Sequence, residues 1–141
     1  MCRIVREPID VRAVEAQVSD VSNGAVVTFV GQVRNSARGR EVSYLEYDAY
    51  LPLAEKEILR IASEASERWQ ADVAVQHRLG RLELGEASVV VCTGCRHRGD
   101  AFEACRWIID TLKERVPIWK RETCPDGTFW IEGDDAVAAS P

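Results

Sequence analysis

Lysine is scarce in this chain. Of its 18 basic residues only Lys56, Lys113 and Lys120 are lysines, and the rest are arginines. Positive charge as a whole is also short: 23 acidic residues leave a formal net charge of −5. That excludes the broad cationic face with which a plain nucleic-acid binder displaces counterions from phosphates. No apolar run approaches the roughly 18 residues of a membrane span. Arg3, Arg6, Glu7 and Pro8 occupy the start of the chain, where a secretion signal needs an apolar core. The expectation is a cytoplasmic protein with neither a membrane nor a nucleic acid as partner. The cysteines (Cys2, Cys92, Cys95, Cys105 and Cys124) are odd in number and share no repeated spacing, unlike the disulfide framework of a small secreted domain. Internal repeats and low-complexity linkers are missing as well. With 141 residues, 46% apolar and 29% charged, the chain has the size and composition of one globular domain. Residues 1–133 are expected to form it, with 134–141 as a disordered acidic tail.

Hydrophobic periodicity gives the elements. A short strand is expected at 3–6, followed by a helix from Val11 to about Val18 capped by Asp10. The β-branched run from Ala25 to Arg34 reads as a strong strand, 35–40 as a polar loop, and Val42 to Tyr50 as a second strand. Leu53 to Trp69 repeats Ile58, Ile61, Ala62 and Ala65 at helical spacing with charges opposite them. Strands are expected at 72–79 and 81–84, and the near-continuous apolar run 87–93 is expected as a strand buried on both faces. A third helix runs from Asp100 to about Arg115, where Pro117 stops it. Residues 118–120 are then extended, and 128–132 form a last strand. Short turns join most strands, which implies an α+β domain with three helices and mainly antiparallel or mixed sheet.

Residues 91–125 carry the chemistry. They hold seven bases against five acids, so a net +2 sits inside a chain whose remainder is −7. Arg96-His97-Arg98 lies where a buried strand opens into a helix, a favourable place for an anion such as phosphate; it is equally readable as a solvated turn. Lys113 falls in the last helical turn, where a cation also complements the helix dipole. Lys120 falls on the extended segment after Pro117, beside Trp119. A lysine near other cations in a half-buried cleft has its proton affinity lowered and can act as nucleophile or base. Cys92-Thr93-Gly94-Cys95 offers a redox pair as a competing reading, although Cys92 sits in an apolar run as a small hydrophobe does. No full set of metal ligands accompanies it, so no metal is expected. His77, on an alternating strand, reads as structural.

Taken together, Gly24 to Arg34, Leu45-Glu46-Tyr47, His77-Arg78 with Gly80, Gly85-Glu86, His97-Arg98, Ala101 to Ala104, Leu112-Lys113 and Pro117 to Glu122 resemble one family in collinear order over roughly residues 3–133. That family is the large, catalytic subunit of molybdopterin synthase, the MoaE type. The resemblance implies an α/β-hammerhead fold and a sulfurtransferase of molybdenum cofactor biosynthesis with no cofactor of its own. Its substrate is a cyclic pyranopterin monophosphate, which gains two dithiolene sulfurs. The sulfur arrives as a thiocarboxylate on the C-terminal Gly-Gly of a small ubiquitin-like subunit. Lys113 matches the family's principal catalytic lysine and Lys120 its basic companion. Gln32, Val33, Arg34, His97, Arg98, Lys113, Lys120, Arg121 and Glu122 match substrate-binding positions. The implied assembly is a homodimer of large subunits with a small subunit at each end, a heterotetramer. The sequence departs from the family's pattern at Cys95-Arg96 and at Gln32, where other members can carry Lys. A thiol-redox protein using Cys92 and Cys95, and a non-catalytic partner-binding module, stand as alternatives.

Overall fold

The computed structural model describes residues 1–132 and 135–140, with side chains through Ile131. Its centre is strand β8 (Ala87–Cys95), whose side chains are buried on both faces. Alternate residues of a strand point to opposite sides, and here each side meets a different layer. Val89 and Val91 pack with Ile58, Ile61, Ile108 and Leu112 of helices α2 (Leu51–Trp69) and α3 (Arg98–Arg115). Val90 and Cys92 pack with Val14 and Val18 in and just beyond helix α1 (Val11–Ala16). The sheet around β8 has the order β1-β6-β8-β2 and is mixed. Strand β1 (Cys2–Val5) runs parallel to β6 (Asp72–Arg78), whereas β6 and β2 (Ala25–Gln32) both run antiparallel to β8. Helices therefore cover both faces of one sheet, the layering that a continuous apolar strand requires.

A second, antiparallel sheet carries the order β11-β10-β9-β5-β7. Its strands are β5 (Tyr44–Ala49), β7 (Gly80–Glu83), β9 (Ile118–Cys124), β10 (Gly127–Glu132) and β11 (Asp135–Ser140). The expected chain order appears here with additions. The polar segment after β2 is not an open loop. Strands β3 (Ser36–Ala37) and β4 (Arg40–Glu41) form a minimal hairpin. Arg38 and Gly39 both take positive φ at its tip, +51° and +76°. Two successive left-handed residues are what a two-residue hairpin turn needs, and Asn-Gly is its usual signal; an arginine in the first place hid it. Of the stretch expected as a tail, residues 135–140 pair antiparallel with β10, and positions 134 and 141 lie outside the described residues. Helix α2 begins at Leu51, earlier than expected, because Pro52 is tolerated in a first turn where its missing N–H costs nothing. Helix α3 begins at Arg98, with His97 as its N-cap residue.

Two contacts fix where α3 starts. Thr93 Oγ1 donates to the Ala101 carbonyl at 2.8 Å, tying β8 to the first turn. Gly94 passes so close to the segment after α1 that a methyl group there would meet the Val18 carbonyl oxygen and the Asn23 side chain. Gly94→Ala is therefore expected to cost about 1–3 kcal/mol through overpacking, measured by urea unfolding. A loss below a few tenths would show that residues 18–23 give way freely.

Candidate functional site

Two elements meet at a proline. The α3 helix ends at Arg115, Val116 takes extended angles (φ −88°, ψ 125°), and β9 begins at Ile118. Pro117 cannot continue the helix and pushes its predecessor into extended geometry. The turn directs Lys113, on the last turn of α3, and Lys120, on β9, toward one cavity of about 460 Å³. That cavity lies between the two sheets. Gln32 and Arg34 enter it from the end of β2, His77 from β6, Ser88 and Val89 from β8, and Tyr47 from β5. Ile109, Leu112, Ile118, Trp119 and Ile131 supply apolar wall. A smaller cavity of about 80 Å³ shares Gln32, Arg34, Tyr47 and Lys120 with it and adds Arg38 and Glu122.

Four of the residues singled out in the sequence thus line one cleft: Gln32, Arg34, Lys113 and Lys120. Glu122 stands in the annex. It is 2% exposed and paired with Arg38 at the tip of the β3–β4 hairpin. Its Oε1 has no hydrogen-bond partner, and neither does Arg40 Nη1 on the same hairpin. Arg40 lies over the Phe129 ring at 3.8 Å, and Phe129 is paired with Glu122 across β9 and β10. The hairpin is in this way held to the sheet by two guanidinium groups. The remaining candidates lie elsewhere. Val33 is buried among Ala37, Val42, Leu45 and Leu82, so its side chain is core and does not line the cleft. Arg121 alternates to the face opposite Lys120, where it pairs with Glu46 at 2.7 Å and lies near the Trp130 ring. His97 and Arg98 are exposed at the start of α3. From Arg98 to Lys113 is about 22 Å by the rise of an α-helix, so one chain does not bring them into its own cleft.

Sequence reasoning missed Tyr47, His77 and Arg38. Tyr47 reaches the cleft because β5 pairs with β9 and sets Tyr47 directly across from Lys120. His77 does so because the sheet order carries β6 beside β8. Both depend on pairings between distant segments, for which no local pattern exists. His77, expected to be structural, lies in the cavity wall.

The redox reading fails on strand geometry. Cys92 and Cys95 are three residues apart on β8 and so face opposite layers. Cys92 packs against the α1 layer and Cys95 against Ala101 and Ala104 of α3. Burial pushes both thiols up, away from the thiolate that redox exchange needs. Among the described residues no cluster of His, Cys, Asp and Glu could hold a metal ion, and no helix is long and apolar enough to cross a membrane.

Residues 4–115 match the family described as MoaE protein. The molybdopterin synthase catalytic subunit of Pyrococcus abyssi is 47% identical, over 95% of this chain and 93% of that one. The crystal structure of molybdopterin synthase from Staphylococcus aureus superposes with a TM-score of 0.87 at 39% identity, covering 91% of this chain and 94% of its counterpart. The fold is also shared, at 22% identity and a TM-score of 0.77, by a chain in the complex of subunits 1 and 2 of the molybdopterin-converting factor from Helicobacter pylori; 93% of this chain and 90% of that one are covered.

The chain belongs to the MoaE family. Its fold is the mixed α+β domain of the MoaE structures, with Lys113 near the end of the family match and Lys120 just beyond it.

Glu122 gives this MoaE chain a specific stability test. Glu122→Gln keeps the shape but removes the carboxylate charge that faces Arg38. The expected cost is about 1–3 kcal/mol, since Arg38 can partly rehydrate, with faster amide exchange confined to residues 36–41. Unchanged exchange there would mean that the pair does not hold the hairpin.

Proposed function

We propose that this chain is the catalytic subunit of a molybdopterin synthase, converting a cyclic pyranopterin monophosphate into molybdopterin with sulfur from a thiocarboxylated small subunit. The observation that carries the reading is the convergence of Lys113 and Lys120 on one cleft whose other polar wall includes Gln32 and Arg34. Family membership narrows what that cleft is for. An anionic pterin phosphate suits its cations. Arginine supplies a forked, permanently charged contact to phosphate, and lysine supplies a compact ammonium that can also release a proton. The apolar wall of Ile109, Leu112 and Ile118 suits a planar heterocycle or a slender Gly-Gly tail. Once the thiocarboxylate sulfur has bonded to the substrate, water adds to the resulting thioester carbonyl and negative charge gathers on its oxygen before the C–S bond breaks to leave a carboxylate on the small subunit; a fixed ammonium in a cleft stabilises that charge. Lys113, at the cleft wall, is assigned this task and the associated proton transfer, with Lys120 as its companion. A biosynthetic reaction on a small charged substrate supports a cytoplasmic location.

The distance from Arg98 to the cleft bears on assembly. If His97 and Arg98 bind the same substrate, they reach it from a second copy, whose α3 N-terminus must approach this cleft. The homodimer expected from the resemblance supplies such a copy.

The decisive assay combines the chain with the cyclic precursor and a thiocarboxylated small subunit and looks for dithiolene product. Lys113→Ala is expected to lower turnover at least about 100-fold while the two subunits still associate in gel filtration. Turnover near that of the unmodified chain would sink the assignment. Binding without any product from the unmodified chain would favour a partner-binding module. Co-expressing Lys113→Ala with Arg98→Ala tests the shared site: mixed dimers regain one intact cleft if the second copy completes it. Failure of the mixture to exceed either variant alone would place Arg98 outside the site.

A further inference from the structure

Strand β2 changes neighbours at the edge of the cleft. Its first part belongs to the β8 sheet. Thr28 Oγ1 donates to Glu15 of α1 at 2.7 Å, Val30 packs with the α1 layer, and Val27 packs with the layer of α2 and α3. Two residues past Gly31 the chain lies on the second sheet, where Val33 packs with Leu45 of β5 and Leu82 of β7. Gln32 and Arg34, on either side of Val33, line the cleft. The register shows where the corner falls. Pairing of β2 with β8 steps evenly from Ala25 opposite Cys95 to Gly31 opposite Val89, and the next pair is Gln32 with Ala87. Ser88 is left over, so β8 carries a bulge of one extra residue there. The slipped pairing then continues: Val33 N donates to the Glu86 carbonyl oxygen at 3.0 Å, and Gly85 N to that of Val33 at 2.7 Å.

A bulge bends the pair it interrupts and increases its twist, and strands that pass from one sheet to another turn their corners at such points. Its place must be fixed, because a slip of one residue along β8 would move the corner and redirect the side chains beyond it. The flanking residues Ala87, Val89, Val90 and Val91 have no polar side chain with which to do so. Ser88 has one. Its buried hydroxyl donates to the Gly31 carbonyl oxygen at 3.2 Å, across the two strands at the slip itself. Gly31 makes room for this contact. A methyl group there would come within 2.8 Å of the Val89 side chain and 3.4 Å of Ser88 Oγ. The β6 ladder stops short of the bulge, since it ends at the pair of His77 and Val89.

We infer that Ser88 is a positioning residue for Gln32 and Arg34: its hydroxyl, bonded to the Gly31 carbonyl, locks the one-residue bulge of β8 in place and so sets the corner of β2 that carries those two side chains into the cleft. The corner belongs to the resting protein. Its consequence for turnover rests on the sulfur-transfer reading, in which Gln32 and Arg34 hold the substrate and Lys113 serves the chemical step.

Ser88→Ala removes the hydroxyl and little else. In ¹⁵N spectra the side-chain N–H signals of Gln32 and Arg34, assigned with Gln32→Glu and Arg34→Lys, report the corner directly. Ser88→Ala is expected to move both signals and to weaken the cross-strand contact of Gln32 with Ala87, while the backbone signals of Val26 to Phe29 stay in place. Unmoved Gln32 and Arg34 signals overturn the inference, and so does a change spread evenly along β2, which would make Ser88 a packing residue. The kinetic arm uses the cyclic precursor and the thiocarboxylated small subunit. Ser88→Ala is expected to raise KM for the precursor about tenfold and to keep kcat within about threefold of the parent. A fall in kcat with KM unchanged overturns the inference. In an Arg34→Ala background the Ser88 change is expected to cost no more than about threefold, because the group it positions is already gone. The full tenfold loss in that background would show that Ser88 acts independently of Arg34 and overturn the inference. Absence of turnover in the parent protein would instead defeat the proposed function, while the spectra still decide the corner.

Discussion

The candidate site depends on the break at Pro117. Lys113 and Lys120 are seven residues apart, a spacing that would put them two turns apart along one side of a continuous helix. The proline instead ends α3 and lets the chain leave as β9. One lysine is then carried by the helical layer and the other by the second sheet, and the space between those layers becomes the cleft. A single backbone constraint converts two sequence neighbours into groups on facing walls.

That constraint works only because α3 is itself held. Strand β8 is buried on both sides, so α3 must dock by Ile108 and Leu112 against Val89 and Val91, and Thr93 fixes its first turn. The same packing sets the limit of what one chain can do. A straight α3 docked along β8 keeps Arg98 and Lys113 at opposite ends, so the two basic clusters found between residues 91 and 125 belong to different places. The net charge of that segment, summed along the chain, concealed its division in space.

Much of this was legible where the signal was local. The amphipathic spacing of Ile58, Ile61 and Ala65 gave α2, the apolar run at 87–93 gave a doubly buried strand, and Pro117 gave the end of α3. The lysine pair was legible for the same reason: scarcity and position are properties of the sequence. Pairings between distant segments were not. Nothing near Tyr47 announces that it faces Lys120, and nothing near Arg38 announces that it meets Glu122, yet both follow once β5 and β9 pair and the hairpin folds over them. Val33 shows the converse case. Its neighbours Gln32 and Arg34 reach the cleft, and strand alternation turns the residue between them into the core.

The same alternation separates chemistry from packing throughout the molecule. It sends Cys92 and Cys95 to different layers, and it places Lys120 and Glu122 on one face of β9 with Arg121 on the other. The scarcity of lysine then acquires a physical sense. Arginine serves well where a permanent charge must pair or stack, as Arg38, Arg40 and Arg121 do. The proposed sulfur transfer asks for something arginine cannot give, a cation able to surrender its proton. Among the described residues the cleft sets the lysines beside Arg34, the Tyr47 phenol and the His77 imidazole, with Glu122 in the adjoining annex, so strand alternation decides which groups can reach them.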